Sequence, residues 1–372
     1  MRVRDARLRW LGLAAASLIA VGACSTGPGT SSAPAGSNPA PSAAASGDTG
    51  SAAPSAAPSA DAKAARDAVC EAAKAEGKLA YWSNFAHGEK IVEAFQAAYP
   101  GITVEPLSNH PDDFVQALIT ELTAGRAPSA DILYGELNVL LPLQDMKAID
   151  DTIDWKALGV ADDLIPDAMN VVRLYRVAGG LVYNTSTHKP EDLPNTWDEL
   201  LDSKWDHQIV VDPRGRPFDQ LSLEWGHDKT IDYAKKLNDL HPVVIKGGTA
   251  GMLAVAGGQA AFTTGGRSAE TLEQKAAGAP LEIKYLDTIT TLDTYNVVPK
   301  GVAHPNAAKC MVAWLATDGQ KIHDEAEFKS NETIPTGAPA DAKYAEVKSA
   351  ADADTVGKIG EEIGQIFGGT GG

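Results

Sequence analysis

The chain has 372 residues, with 32 Lys and Arg against 49 Asp and Glu, for a formal net charge of −17. That balance argues against a nucleic-acid binder, whose affinity comes from clustered basic residues, and one apolar stretch at the extreme N-terminus argues against a multi-span membrane protein. Three cysteines without CxxC spacing support neither a disulfide scaffold nor a structural zinc site, and the length suits about two domains.

In chain order, Arg2, Arg4, Arg7 and Arg9 precede Leu11–Val21, an uncharged run leading into Val21-Gly22-Ala23-Cys24. A basic stretch, a short apolar run and small residues at a cut mark a secretory signal. The run is too short to span the hydrocarbon core of a bilayer. The block resembles a bacterial lipoprotein signal, residues 1–23, in which Cys24 receives lipid and becomes the first mature residue. An ordinary cleaved signal with an incidental Cys is the alternative. From Ser25 to Ala60 every residue is Ser, Thr, Gly, Pro or Ala except Asn38 and Asp48. Such a segment cannot bury enough apolar surface to offset its ordering entropy. Residues 24–62 therefore read as a flexible tether with a reach of about 30–35 Å. Without residues 1–23 the chain keeps 28 basic and 48 acidic residues, a net −20 that favours a soluble monomer.

Ala62–Glu76 reads as a helix stopped by Gly77, Lys78–Trp82 as a strand, and Gly88–Tyr99 as an amphipathic helix with Ile91, Val92, Phe95 and Tyr99 at helical spacing. Pro100-Gly101 turns into a strand at Ile102–Val104, and a helix at Asp112–Ala124 and a strand at Ala130–Tyr134 follow. A second set comprises strands at Gly180–Tyr183, Gln208–Val211, Ala260–Thr263, Leu281–Tyr285 and Tyr295–Val298. Its helices are expected at Trp197–Leu201, Thr230–Asp239, Ser268–Ala277 and Pro305–Ala316. Strands alternating with helices predict an α/β protein with a largely parallel sheet.

Several short motifs occur in a telling order. They are Glu76-Gly77-Lys78-Leu79, Tyr99-Pro100-Gly101-Ile102-Thr103-Val104, Gly180-Leu181-Val182-Tyr183-Asn184-Thr185, Thr196-Trp197-Asp198-Glu199-Leu200 with Val211-Asp212-Pro213, and His304-Pro305-Asn306-Ala307-Ala308-Lys309. Together, over about residues 75–335, the chain resembles bacterial extracytoplasmic solute-binding proteins of ABC importers, in their ferric-iron, thiamine, polyamine and phosphonate branch. The resemblance implies a type II periplasmic-binding-protein fold, with two α/β lobes and a ligand cleft between them. The first lobe would take residues 63–178 and 293–335 and the second 179–292. Residues 336–372 would form a C-terminal segment that packs on the second lobe and ends in a flexible Gly tail. The resemblance further implies an ABC transporter permease as partner, a membrane reached only through lipid, no nucleic acid and no cofactor.

Ligands of open α/β sheets sit beyond the carboxyl ends of strands, near helix N-termini. In this chain those places are Ser83–Gly88, Tyr134–Leu137, Asp212–Phe218, Thr263–Arg267 and Thr294–Asn296. The ligand candidates are Ser83, Asn84, Phe85, His87, Tyr134, Glu136, Asp212, Arg214, Thr263, Thr264, Arg267 and Tyr295. Each has a plainer reading. Ser83 or Asn84 can cap a helix, Phe85, Tyr134 and Tyr295 can pack, Glu136 can be a solvated carboxylate at a helix start, and the arginines can balance an acidic surface. Iron binders of this branch pair tyrosines in the second lobe, where this chain has Phe262-Thr263-Thr264-Gly265-Gly266-Arg267. Arg267 would repel a cation, so a carboxylate- or phosphonate-type solute is favoured over ferric iron, for which Glu136 and His87 would be the remaining ligands. The resemblance also brings the segments of Cys70 and Cys310 into one lobe, which implies a disulfide; two buried thiols are the alternative.

The acidic stretch from Asp145 to Asp167 lacks EF-hand spacing and reads as a solvated face, and His110 with Asp112 and Asp113 reads as a loop and cap. No GxSxG, HExxH or Walker loop is present, so a receptor is expected, with a secreted enzyme or adhesion lipoprotein as the alternative class. If Cys24 carries the lipid, a Cys24→Ala variant leaves the membrane fraction and is shed or retained as precursor. Unchanged membrane fractionation would refute the anchor.

Overall fold

A computed structural model describes residues 59–83, 85–331, 338–339 and 341–368. The signal, Cys24, the tether up to Pro58 and Asn84 lie outside the described residues. Helix α1 (Ala60–Glu76) starts where the Ser59 hydroxyl accepts from the Ala62 N–H at 3.2 Å, and it ends at Gly77 with φ 75°. Ala60 and Asp61, expected in the tether, are therefore helical. The Ser59 cap supplies the start signal that the low-complexity composition hides.

The first lobe continues with β1 (Lys78–Ser83), α2 (Gly88–Ala98), β2 (Thr103–Ser108), α3 (Pro111–Thr123), β3 (Ile132–Gly135) and α4 (Leu137–Asp145). The long strand β4 (Val172–Asn184) then leads out. Next come β5 (Ile209–Val211), α5 (Phe218–Trp225), α6 (His227–Asn238), β6 (Val243–Val244), α7 (Gly248–Ala256), β7 (Phe262–Arg267), α8 (Ser268–Ala276) and β8 (Leu281–Lys284). Strand β9 (Thr288–Val297) returns to α9 (Pro305–Leu315) and α10 (Gln320–Glu327), and the chain ends with β10 (Lys343–Ala345) and α11 (Ala350–Ile366).

The strand order is β2-β1-β3-β9-β4-β7-β5-β6, with β8 on β4 and β10 on β9. The expectation of a largely parallel sheet needs correction. β1, β2 and β3 pair in parallel, as do β5, β6 and β7, but β4 runs antiparallel to β7, β8 and β9, and β9 antiparallel to β3. Two parallel half-sheets are joined through two antiparallel crossover strands. Sequence pattern predicts only Gly180–Tyr183 of β4 as strand, because Arg173 and Arg176 interrupt the apolar run in its first half. Both arginines are buried there, at 4% and 6% exposure, by pairing with acidic groups.

The apolar cores divide at these crossovers. One set of buried residues draws on Cys70–Leu174 and Tyr295–Ala326. The other draws on Leu181–Leu286 and Ala345–Phe367. Helix α11, which falls in the C-terminal segment where no element is predicted, buries Ile359 and Ile363 with Phe367 in the second core. Phe218, at the end of the stretch Asp212–Phe218 expected near a ligand, is fully buried against Trp197, Tyr233 and Phe367. The stretch Thr263–Arg267, expected as a loop, is the body of β7. Gly266 allows its close pairing with β4, since a Cβ there would overlap Val182, and Gly180 of β4 does the same toward β8, where a Cβ would lie 2.8 Å from the Lys284 carbonyl.

Cys70 of α1 and Cys310 of α9 form a disulfide with Cα atoms 5.0 Å apart, across a sequence separation of 240. It ties the start of the first lobe to its return segment. Closing so long a loop restricts the unfolded chain, so Cys310→Ser should lower stability by about 3–5 kcal/mol in urea unfolding. Free thiols from both residues in denatured, unreduced protein would contradict the bond.

Candidate functional site

Polar residues gather where the two cores meet. Arg176 of β4 donates to Asp293 of β9 through Nε at 2.7 Å and Nη2 at 2.5 Å, and to Glu346 beyond β10 through Nη1 at 2.8 Å. Burial alone would lower its ionisation, but the hydrogen bond and charge of Asp293, with Glu346, hold the guanidinium above its ordinary range. Arg173 donates to the Asn331 carbonyl at 3.0 Å and lies 3.9 Å from Asp293. The Tyr295 hydroxyl, a ligand candidate, lies 3.3 Å from Asp293 Oδ2 and its ring packs in the first core. Tyr81 is likewise buried, its hydroxyl 2.5 Å from Asn296 Oδ1.

Tyr175 stands at the centre of this region. Its ring stacks on His323 at 6.0 Å, and Lys329 Nζ lies 5.0 Å from its centroid. Burial raises its hydroxyl above the usual range. Lys329 and a hydrogen bond with Thr294 oppose that rise, while the charges of Glu136 and Glu270 add to it. Glu136 follows β3 in the first lobe and Glu270 lies in the first turn of α8 in the second.

Beside it lies a cavity of about 50 Å³ lined by Ala86, His87, Glu270, Glu273, Glu327 and Lys329, among others. That is room for about one or two water molecules. The Glu327 carboxylate accepts from the N–H groups of Ala86 at 3.0 Å and His87 at 2.7 Å, and Lys329 Nζ is 3.6 Å away. The first-lobe loop therefore spends these two amides on an internal carboxylate. Across the cavity, Glu270 Oε2 is buried without a hydrogen-bond partner, and Glu270 Oε1 is 3.9 Å from Arg267 Nη1.

The other candidates divide. Asp212 accepts from Arg214 through N and Nε, both at 3.0 Å, and Nη2 at 2.6 Å, and from the Gly247 N–H at 3.1 Å. Burial works against the Asp212 charge, yet these donors hold its carboxyl below the ordinary range. The pairing occupies the bidentate edge of Arg214 that an anion would need. Thr263 and Thr264 are buried within β7, where Thr264 Oγ1 donates to the Val210 carbonyl at 3.4 Å. Ser83 is buried at the end of β1, and Phe85 packs edge-on to Tyr81 and His323. Tyr134 is buried against Phe114. Of the sequence candidates, His87 lines the cavity and Arg267 lies 3.9 Å from Glu270 on its wall. Glu270, Glu327, Lys329 and the buried arginines are not legible in the sequence. Glu327 acts on a loop 240 residues away, so no local pattern marks it.

Residues 81–322 match the family of bacterial extracellular solute-binding proteins. The chain belongs to this family. Its fold is shared with iron-bound HitA from Pseudomonas aeruginosa at 18% identity and TM-score 0.61, over 78% of this chain and 99% of HitA. An ABC transporter substrate-binding protein from Bradyrhizobium japonicum shows 16% identity and TM-score 0.61, over 78% of this chain and 99% of that one. The spermidine/putrescine ABC transporter protein PotD from Streptococcus pneumoniae shows 15% identity and TM-score 0.56, over 68% of this chain and 81% of PotD. No curated protein sequence matches the chain. This solute-binding protein thus has the two-lobed α/β architecture of type II periplasmic binding proteins, and its family places it outside the cytoplasm. No helix among the described residues is long and apolar enough to cross a membrane.

Within the second lobe of this solute-binding protein, burial pushes the Asp219 carboxyl up to about 6, against the opposing charges of Arg216 and Arg267. An unfolded Asp titrates near ~3.9. The native state therefore binds the extra proton between about pH 4 and 6, and stability from this group falls as pH rises through that window. Asp219→Asn should stabilise the protein by about 1–3 kcal/mol at pH 7.5 and hardly at all at pH 4, as read by urea unfolding at both. An equal effect at the two pH values would disprove the assignment.

Proposed function

We propose that the mature chain is the receptor of an ABC importer, anchored outside the cell by lipid on Cys24, and that it works as a monomer. It captures a small solute between its lobes and delivers it to the permease without chemical turnover. The observation that carries this reading is the cavity lined together by Ala86, His87, Glu327 and Lys329 of one lobe and by Glu270 and Glu273 of the other. A ligand bound there would touch both lobes and favour their closure, which is the signal a permease can read.

The solute we favour carries a carboxylate or phosphonate. Arg267 supports this, because it sits at the N-cap of α8 with its acidic neighbour Glu270 held 3.9 Å away. A helix N-terminus and a guanidinium together suit such a group. A second reading, ferric iron as the cargo, is supported by Glu270, Glu273 and Glu327 on the walls of one cavity and by the iron bound to HitA, which shares this fold.

Calorimetry separates the two. With a carboxylate or phosphonate panel, Arg267→Ala should weaken binding by about 2–5 kcal/mol, since the ligand charge would be left unpaired. Tight ferric binding with a phenolate charge-transfer band, lost in Glu136→Ala or Tyr175→Phe and kept in Arg267→Ala, would establish the iron reading instead. Product formation from any tested solute would overturn the receptor assignment.

A further inference from the structure

The second lobe carries a cluster that the capture of a solute does not use. Asp206 and His207 precede β5, and His241 precedes β6. These strands pair in parallel with Val210 opposite Val243, so their entry loops come side by side. The His207 N–H donates to the Leu240 carbonyl at 2.9 Å, which ties the loops together. His241 Nδ1 lies 2.9 Å from Asp206 Oδ1, and His207 Nε2 lies 3.9 Å from Asp206 Oδ2. The two imidazole rings stack with centroids 4.9 Å apart.

We propose that Asp206, His207 and His241 form a zinc-binding site on the outer edge of the second lobe. Their three donor atoms all lie within 4.8 Å of one another. Donors that share a tetrahedral zinc ion at about 2.0–2.2 Å sit about 3.3–3.6 Å apart, so a pair at the 4.8 Å limit closes by about 1.2–1.5 Å on binding. The side chains have that freedom, because they are 67%, 65% and 48% exposed for His207, His241 and Asp206. Two imidazoles and one carboxylate suit zinc and related borderline ions rather than calcium or magnesium, which prefer all-oxygen shells. Three protein ligands leave a position for water.

The backbone adds an independent sign. His207 and His241 have φ of 60° and 47°, and they are two of the four non-glycine residues with positive φ among the described residues. Both conformations cost energy. The cluster precedes β5, whereas Asp212 and the ligand-facing loop follow it. A bound ion would therefore pin the sheet edge without entering the cleft.

The test is calorimetric titration of the metal-free mature protein with zinc alone at pH 7.5, paired with thermal melts. We expect one zinc per chain and a raised melting temperature. His207→Asn and His241→Asn, chosen because Asn tolerates positive φ, should each weaken zinc binding about tenfold or more and remove the thermal shift. His227→Ala, an exposed histidine between Asp228 and Glu362, should change neither. Cobalt in place of zinc should give visible absorption bands that the two Asn variants lose. No zinc binding at about 100 µM, binding unchanged in both Asn variants, or binding lost in His227→Ala would each overturn the site.

Discussion

The antiparallel pairing of β4 with β9, locked by Arg176 between Asp293 and Glu346, is the constraint on which the molecule depends. Both strands pass from one core to the other, so every contact between lobes is referred to them. Charges at 5%, 12% and 16% side-chain exposure are costly to bury and more costly to leave unpaired. The network is therefore a device for register and orientation more than for raw stability. It also reaches past β10, which brings the C-terminal segment onto the crossover and allows α11 to complete the second core.

The same crossover sets the chemistry of the cleft. The first-lobe amides at Ala86 and His87 are satisfied by Glu327, and the second-lobe face presents Arg267 at the start of α8. An internal carboxylate thus occupies first-lobe donors that a ligand anion could otherwise use. The cations of this region, Arg267 and Lys329, each have a carboxylate close by.

The two ends of the second half-sheet have separate characters. Beyond the carboxyl end of β5, Asp212 holds Arg214 and the Gly247 loop rigid. Before its amino end, exposed imidazoles face each other across adjoining loops. Parallel strands create both situations, since they align like ends of successive βα units.

The α/β alternation and the family resemblance were legible in the sequence alone. The alternation rests on periodicity within short windows and the resemblance on short motifs in a given order, and a chain displays both without folding. Helices such as α2 and α9 could be read from their apolar spacing, and His87, Glu136 and Arg267 from their places at the ends of predicted elements. Only the tertiary structure decided that Thr263–Arg267 is a strand, that Phe218 is core, that Asp212 consumes Arg214, and that Glu327 caps a distant loop. It likewise decided that buried arginines run through β4 and that two histidines in separate loops share a carboxylate. The reason is physical. Local patterns report which face of an element is apolar, whereas the partner of a buried charge or a spent hydrogen-bond donor is chosen by strand register across hundreds of residues.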